Sequence, residues 1–312
     1  MKLCDIGNTA LVELSNLAFN GNRLFAKCEF QNPTGSHKDR TFLHIINTLE
    51  RENKIAPGMT LVDCSTGNGG AALAWIGQQK GYRVVVFMPE GMTAERLEQI
   101  RMFGGTVVET PKEKFLNGSV EAALNYVETN QNTFYLNQAG TTLNMKAWFS
   151  CGQEIIAQLR EKDVSPDYFV CSIGTGGTFS GIAKVLKQAY PDIKTIGIEV
   201  DKSAPVYAKR KGITFKHHSH NLMGLGAGVL SINTDLDLID EIKVVNGELA
   251  WERMRAFIDS NGLGIGPTCG SNIVMSESLM EDIHNKIIVT LFFDSAWKYK
   301  SRWDGIYPEY SK

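Results

Sequence analysis

The sequence predicts an α/β protein made of two doubly wound units in intimate contact, each with a mostly parallel sheet. Three observations carry this expectation. Short β-branched and apolar runs alternate with helix-like stretches over much of the chain. Glycine-rich turns stand between two of those runs and the helices that follow them. The 312 residues contain no low-complexity linker and no internal repeat, so the units are not joined by a tether. Strand–helix–strand alternation of this kind builds a parallel sheet covered on both faces, with the natural site in a crevice at the carboxyl ends of the strands.

The elements follow in order. Gly35 to Arg40 marks a change from an extended segment to a helix, with Lys38 at the break. Thr60 to Asp63 reads as a buried strand, and Ala71 to Lys80 as a helix stopped by Gly81. A strand over Arg83 to Met88 precedes a helix over Thr93 to Phe103, with Thr93 as its cap and Gly104-Gly105 as its stop. Thr106 to Glu109 is the next strand, and a single helix runs from about Met145 to Glu161. Tyr168 to Cys171 and Thr195 to Glu199 are strands flanking a helix over Phe179 to Gln188, and Ile287 to Phe293 is a late apolar strand.

Composition excludes several classes. At 43% hydrophobic and 21% charged this is an ordinary globular chain, large enough for a sizeable core. A net charge of −2 makes no electrostatic case for nucleic acid or membranes, and no apolar run approaches the roughly 20 residues that span a bilayer. The N-terminal residues lack a signal-peptide core, so the expected location is the cytoplasm. Six cysteines without CxxC spacing read as reduced and mostly buried. His217, His218 and His220 have no cysteine or carboxylate at ligand spacing, so no metal is expected.

Two glycine-rich loops carry the chemistry. Gly174-Thr175-Gly176-Gly177-Thr178 follows a strand and opens a helix, so its N–H groups and the helix N-terminus can cradle a phosphate, with Thr175 and Thr178 adding hydroxyls. It lacks the Lys-Ser/Thr of a nucleotide-triphosphate loop, and Phe179 stands where a dinucleotide fold needs its last glycine. Ser65-Thr66-Gly67-Asn68-Gly69-Gly70 occupies an equivalent turn and suits a small carboxylate. A lysine before a helix is ordinarily just solvated. Beside these two loops, Lys38 suggests a phosphorylated aldehyde held by an imine at one end and a phosphate cradle at the other.

Asn32 to Arg40, the Ser65–Gly70 loop and Gly174–Thr178 together resemble the pyridoxal-phosphate enzymes of the tryptophan synthase β-like fold (fold type II), most closely the cysteine synthase and cystathionine β-synthase branch. The likeness runs nearly end to end, through Ile6–Val12, Gly81–Gly105, Asn221–Gly228 and Asp294–Ser301. It implies pyridoxal 5'-phosphate as cofactor and Lys38 as the imine-forming residue, whose freed amine then moves the substrate α-proton. It further implies Asn68 at the cofactor's phenolic oxygen and Gly174, Thr175, Gly176, Gly177 and Thr178 at its phosphate. Ser65, Thr66 and Gly67 come to the substrate carboxylate, completed by Gln138 or its neighbour Asn137. Thr268, or alternatively Cys269, faces the pyridine nitrogen. The implied domains are a smaller one over 43–145 and a larger, cofactor-binding one over 1–42 plus 146–312. The implied assembly is a homodimer.

The chemistry implied is β-replacement on an activated L-serine, of O-acetylserine or O-phosphoserine type, through an aminoacrylate. Its partners are a small amino-acid substrate and a small nucleophile, without nucleic acid or membrane. Serine or threonine dehydration, threonine synthase-like elimination, and a non-catalytic cofactor-binding regulator are the competing readings. Two departures from the family pattern bear on the substrate: Gly69 replaces a hydroxyl residue, which is expected to open the pocket, and His37 precedes the lysine.

Overall fold

Two sheets organise the chain, as the alternation of strands and helices predicts. The structure, a computed structural model, describes residues 1–226 and 228–310; Ala227, within the Asn221–Gly228 segment, lies outside the described residues. In chain order the strands are β1 (Leu11–Glu13), β2 (Arg23–Cys28), β3 (Thr60–Cys64), β4 (Arg83–Pro89), β5 (Thr106–Thr110), β6 (Thr133–Tyr135), β7 (Tyr168–Ser172), β8 (Lys194–Val200), β9 (Glu241–Val245) and β10 (Ile287–Phe292). The α-helices are α1 (Lys38–Arg51), α2 (Asn68–Gln79), α3 (Ala94–Met102), α4 (Phe115–Thr129), α5 (Leu143–Lys146), α6 (Phe149–Arg160), α7 (Gly177–Ala189), α8 (Pro205–Lys211), α9 (Gly247–Asn261) and α10 (Pro267–Asp282).

The larger sheet has the order β1-β2-β10-β7-β8-β9, parallel except for the antiparallel edge pair β1–β2. The smaller is fully parallel, in the order β5-β4-β3-β6. Strand β10 inserts between β2 and β7, with Ile287 opposite Arg23 and Phe292 opposite Cys28, so the last strand locks the start of the chain into the large sheet. Double winding is written into the small sheet by the two-residue period of its strands. Leu61, Val84, Val86 and Met88 join the main core, while Val62, Cys64, Val85 and Phe87 point the other way and pack with Ala123 of α4.

Several boundaries differ from the sequence expectation for local reasons. The helix expected over Met145–Glu161 is two helices, α5 and α6, divided at Ala147-Trp148. Helices α2 and α7 begin earlier than expected, at Asn68 and Gly177, so each glycine loop supplies the first turn of its helix. Thr93 does occupy the N-cap of α3, but its hydroxyl caps nothing and donates instead to the Lys298 carbonyl at 2.7 Å. Gly104, at φ +78°, provides the expected stop. Cys28, Cys64, Cys151, Cys171 and Cys269 are buried free thiols, and Cys4 is exposed.

A buried ionic cluster fixes the start of α1. The Arg40 guanidinium donates to both carboxylate oxygens of Glu29, at 2.7 and 2.8 Å, and to both of Glu154, each at 2.7 Å. The Lys27 ammonium reaches Glu154 at 2.7 Å and also donates to the Thr9 carbonyl and the Gln158 side chain. Burial works to raise Glu154, but Arg40 and Lys27 outweigh it and hold the carboxyl at about 2. Such a cluster survives desolvation because each charge is matched by directed hydrogen bonds.

Arg40→Met leaves Glu29 buried without its cation and is expected to cost about 3–5 kcal/mol, read as a lowered urea midpoint. Because the Glu154 carboxyl sits below its ordinary 4.5, its contribution is complete above that pH and is lost as pH falls toward about 2. Acid titration of unfolding should show this loss in full in the native chain and only in part in Arg40→Met, where Lys27 still pairs with Glu154.

Candidate active site

The site is a cavity of about 340 Å³ at the carboxyl ends of β3, β7 and β10, walled by residues of both sheets and their loops. Lys38, the first residue of α1, lines it. It is delivered there by a turn in which Gly35 takes φ +74° and Asp39 accepts from the Thr34 N–H and hydroxyl. Burial lowers the Lys38 ammonium to about 8, with the Asp63 carboxylate opposing the shift. About a tenth of the amine is therefore neutral at pH 7, against well under a hundredth for an ordinary lysine, which favours a nucleophilic or proton-moving role.

Both glycine loops face this amine. Ser65, Thr66, Asn68 and Gly69 line the cavity, as do Gly174, Thr175, Gly176 and Thr178. Gly67 and Gly177 are not on its wall. At Gly67, φ is +144° and a Cβ would lie 2.3 Å from Arg96 Cδ. Gly177 instead packs against Asn144, whose Oδ1 lies 2.3 Å from where a Cβ would stand. Gly176, at φ +81° and crowded by the backbone of Thr234, likewise tolerates only glycine.

Gln138 and Asn137 both line the cavity but differ in burial. Gln138 is buried, donates from Nε2 to the Cys64 carbonyl at 3.1 Å, and keeps Oε1 without a hydrogen-bond partner. Asn137 is exposed, and its Oδ1 accepts the Gly140 N–H within its own turn. Thr268 lines the cavity at the start of α10, whereas the Cys269 sulfur is fully buried, off the cavity wall, and accepts the Phe293 N–H at 3.2 Å. Gly69 does not open the pocket as expected: a Cβ there would lie 2.8 Å from Gln138 Nε2 and 3.0 Å from Ser65 Oγ, so the freed space is taken by Gln138.

Three further wall residues were not assigned from the sequence. Asp63 ends β3 with one oxygen accepting the Cys64 N–H and the other the Gln138 N–H; burial raises it to about 7, against those bonds and the Lys38 charge. Asp294 follows β10 and accepts from Asn68 Nδ2 and the Tyr299 hydroxyl, both at 2.6 Å. His37 is wedged between Trp148 and Phe293, its ring neutral because burial holds it well below its ordinary value. A carboxylate inside an otherwise apolar strand, as at Asp63, is the signal by which the sequence could have revealed one of them.

The comparisons agree with this geometry. Residues 4–294 match the family described as pyridoxal-phosphate dependent enzyme. A cysteine synthase of Staphylococcus aureus is 33% identical over 299 residues, covering 95% of this chain and 94% of that protein. Among solved structures, cysteine synthase from Entamoeba histolytica superposes with a TM-score of 0.87 at 30% identity, covering 96% of this chain and 88% of that one. O-ureido-L-serine synthase superposes with a TM-score of 0.89 at 27% identity, over 97% and 93%. The chain belongs to the pyridoxal-phosphate-dependent enzyme family, in its cysteine synthase branch and with the tryptophan synthase β-like fold.

The residues present fit that cofactor. The cavity offers an amine at Lys38, a glycine turn at a helix N-terminus for a phosphate, and an Asn68 amide with one N–H to spare after Asp294. Mixing the cofactor-free protein with pyridoxal phosphate should give a visible band whose rate of appearance rises with pH and levels off above about 8. A rate that climbs on to the ordinary lysine value near 10.5 would show that Lys38 is not the desolvated amine described here.

Proposed function

We propose that this enzyme carries out β-replacement on an activated L-serine, of O-acetylserine or O-phosphoserine type, to make cysteine or a related β-substituted alanine. The observation that carries the reading is the convergence of Lys38, two anion-ready loops, Gln138 and the Thr268 hydroxyl on one cavity. The cysteine synthase and O-ureido-L-serine synthase relatives support it.

When bound, pyridoxal phosphate supplies an electron-withdrawing ring that acidifies the substrate α-carbon and lets a β-substituent leave. Gly174, Thr175, Gly176 and Thr178 would hold its phosphate, with Gly177 opening the helix behind them; Asn68 would donate to its phenolic oxygen. Ser65 and Thr66 would receive the substrate carboxylate, with Gly67 shaping the turn between them and Asn68, and with the buried Gln138, whose Oε1 has no partner, in preference to the exposed Asn137. The Lys38 amine takes the α-proton and later returns it. Between those two transfers the Cβ–O bond breaks with its electron pair on the leaving group, and the nucleophile forms its bond to Cβ. Thr268 would present a neutral hydroxyl to the ring nitrogen, which would leave it largely uncharged and favour prompt loss of the β-substituent. Cys269, buried and accepting the Phe293 N–H, supports Thr268 over Cys269 in that role. The same reading carries the domains 43–145 and 1–42 plus 146–312, and a cytoplasmic homodimer.

Supplied with O-acetylserine and sulfide, the enzyme should form cysteine, and sulfide should suppress release of pyruvate. Pyruvate released at the same rate with and without sulfide would identify an eliminating enzyme instead. Lys38→Ala should lower turnover by about 10²–10⁴-fold and abolish the visible band.

A further inference from the structure

The cavity is polar at its floor and apolar at its mouth. Helix α4 has two apolar faces. One, with Ala123 and Val127, seals the outer side of the small sheet. The other presents Leu116, Val120 and Leu124 at four-residue spacing to the cavity, with Val229 on the opposite lip. Leu124 is 45% exposed and Val229 51% exposed, although both line the site. Phe115 lines the cavity beside Leu116. Its ring stacks on His217 at 6.4 Å and meets Tyr310 edge-on at 5.5 Å. Its backbone sits at φ +46°, a conformation that a bulky residue adopts only where its surroundings impose it. A second pocket of about 450 Å³ adjoins the cavity and shares Phe115, Leu116 and Val229 with it.

Sulfide has no surface to bury against such a wall. An apolar lip continuous with a reactive floor is what a larger nucleophile requires. We propose that the second substrate carries an apolar body, aryl or alkyl, seated on Leu116, Leu124 and Val229 with its nucleophilic atom directed to the floor. This rests on the β-replacement reading and names the acceptor class within it. For a thiol the reaction balances without redox change: the Cβ–O bond breaks with its pair on acetate, a Cβ–S bond forms, and the thiol proton is released with the acetate.

The test uses the cofactor-loaded enzyme, O-acetylserine or O-phosphoserine in parallel arms, and either sulfide or phenylmethanethiol, with product affinities read from the cofactor absorbance. S-benzyl-L-cysteine should bind at least tenfold tighter than L-cysteine, and phenylmethanethiol should exceed sulfide in kcat/KM. In Leu124→Asn, and separately in Leu116→Asn, the benzyl-to-plain affinity ratio should fall about tenfold. Cysteine formed from sulfide without product from phenylmethanethiol overturns the inference alone; no product from either overturns the β-replacement reading with it. An affinity ratio unmoved by both variants, with a changed molecular mass in solution, makes the lip a subunit contact and also overturns the inference.

Discussion

The Arg40 guanidinium, gripped by Glu29 and Glu154, is the interaction on which the site depends. Glu29 follows β2, Arg40 lies in the first turn of α1, and Glu154 belongs to α6, so one side chain joins three elements of different origin. Lys38 stands two residues before Arg40. Any looseness in that turn would move the amine, and the buried pairs forbid it, since a partly broken cluster leaves a desolvated charge behind. Asp39 tightens the same turn through Thr34. The neighbouring Lys298 is buried with its ammonium on the Gln99 side chain, and Gln99 in turn donates to the Thr34 carbonyl.

From the other side, the small sheet brings its loop to the same amine by packing rather than charge. Gly67 permits Arg96 to pass behind the loop, where it donates to the Thr66 carbonyl and lies over the Tyr299 ring at 4.5 Å. Asn68 is tied to Asp294, which follows the strand that closes the large sheet. The crevice is thus closed by bonds between the two sheets' loops, and the groups facing inward keep unused donors and acceptors. Asn68 Oδ1 and Gln138 Oε1 are buried without partners. Buried polar atoms of this kind are costly unless a ligand satisfies them.

The parallel strands were legible because their burial on both faces writes an unbroken β-branched run, as in Val84-Val85-Val86. Both glycine loops were legible because the backbone conformation at Gly67 and Gly176 allows no side chain. Helix α10 was not. Its buried side includes Ser271, Asn272 and Ser276, so it shows no apolar period, and Asn272 is there to bond Ser172 and the Leu291 carbonyl. Helix α4 was hidden by its apolar residues on two faces, one of them at the cavity mouth. Gly69 was read as lost bulk, whereas the fold fills the space with Gln138, a contact that links loops about seventy residues apart and leaves no local trace.

The central claim is that one amine, held in place by the Arg40 cluster, is where the cofactor is bound. Reducing the cofactor-loaded protein with borohydride and mapping the retained cofactor by peptide mass tests it directly. The account predicts the added mass on Lys38 alone. Label on Lys27, on Lys298 or spread over surface lysines would contradict it.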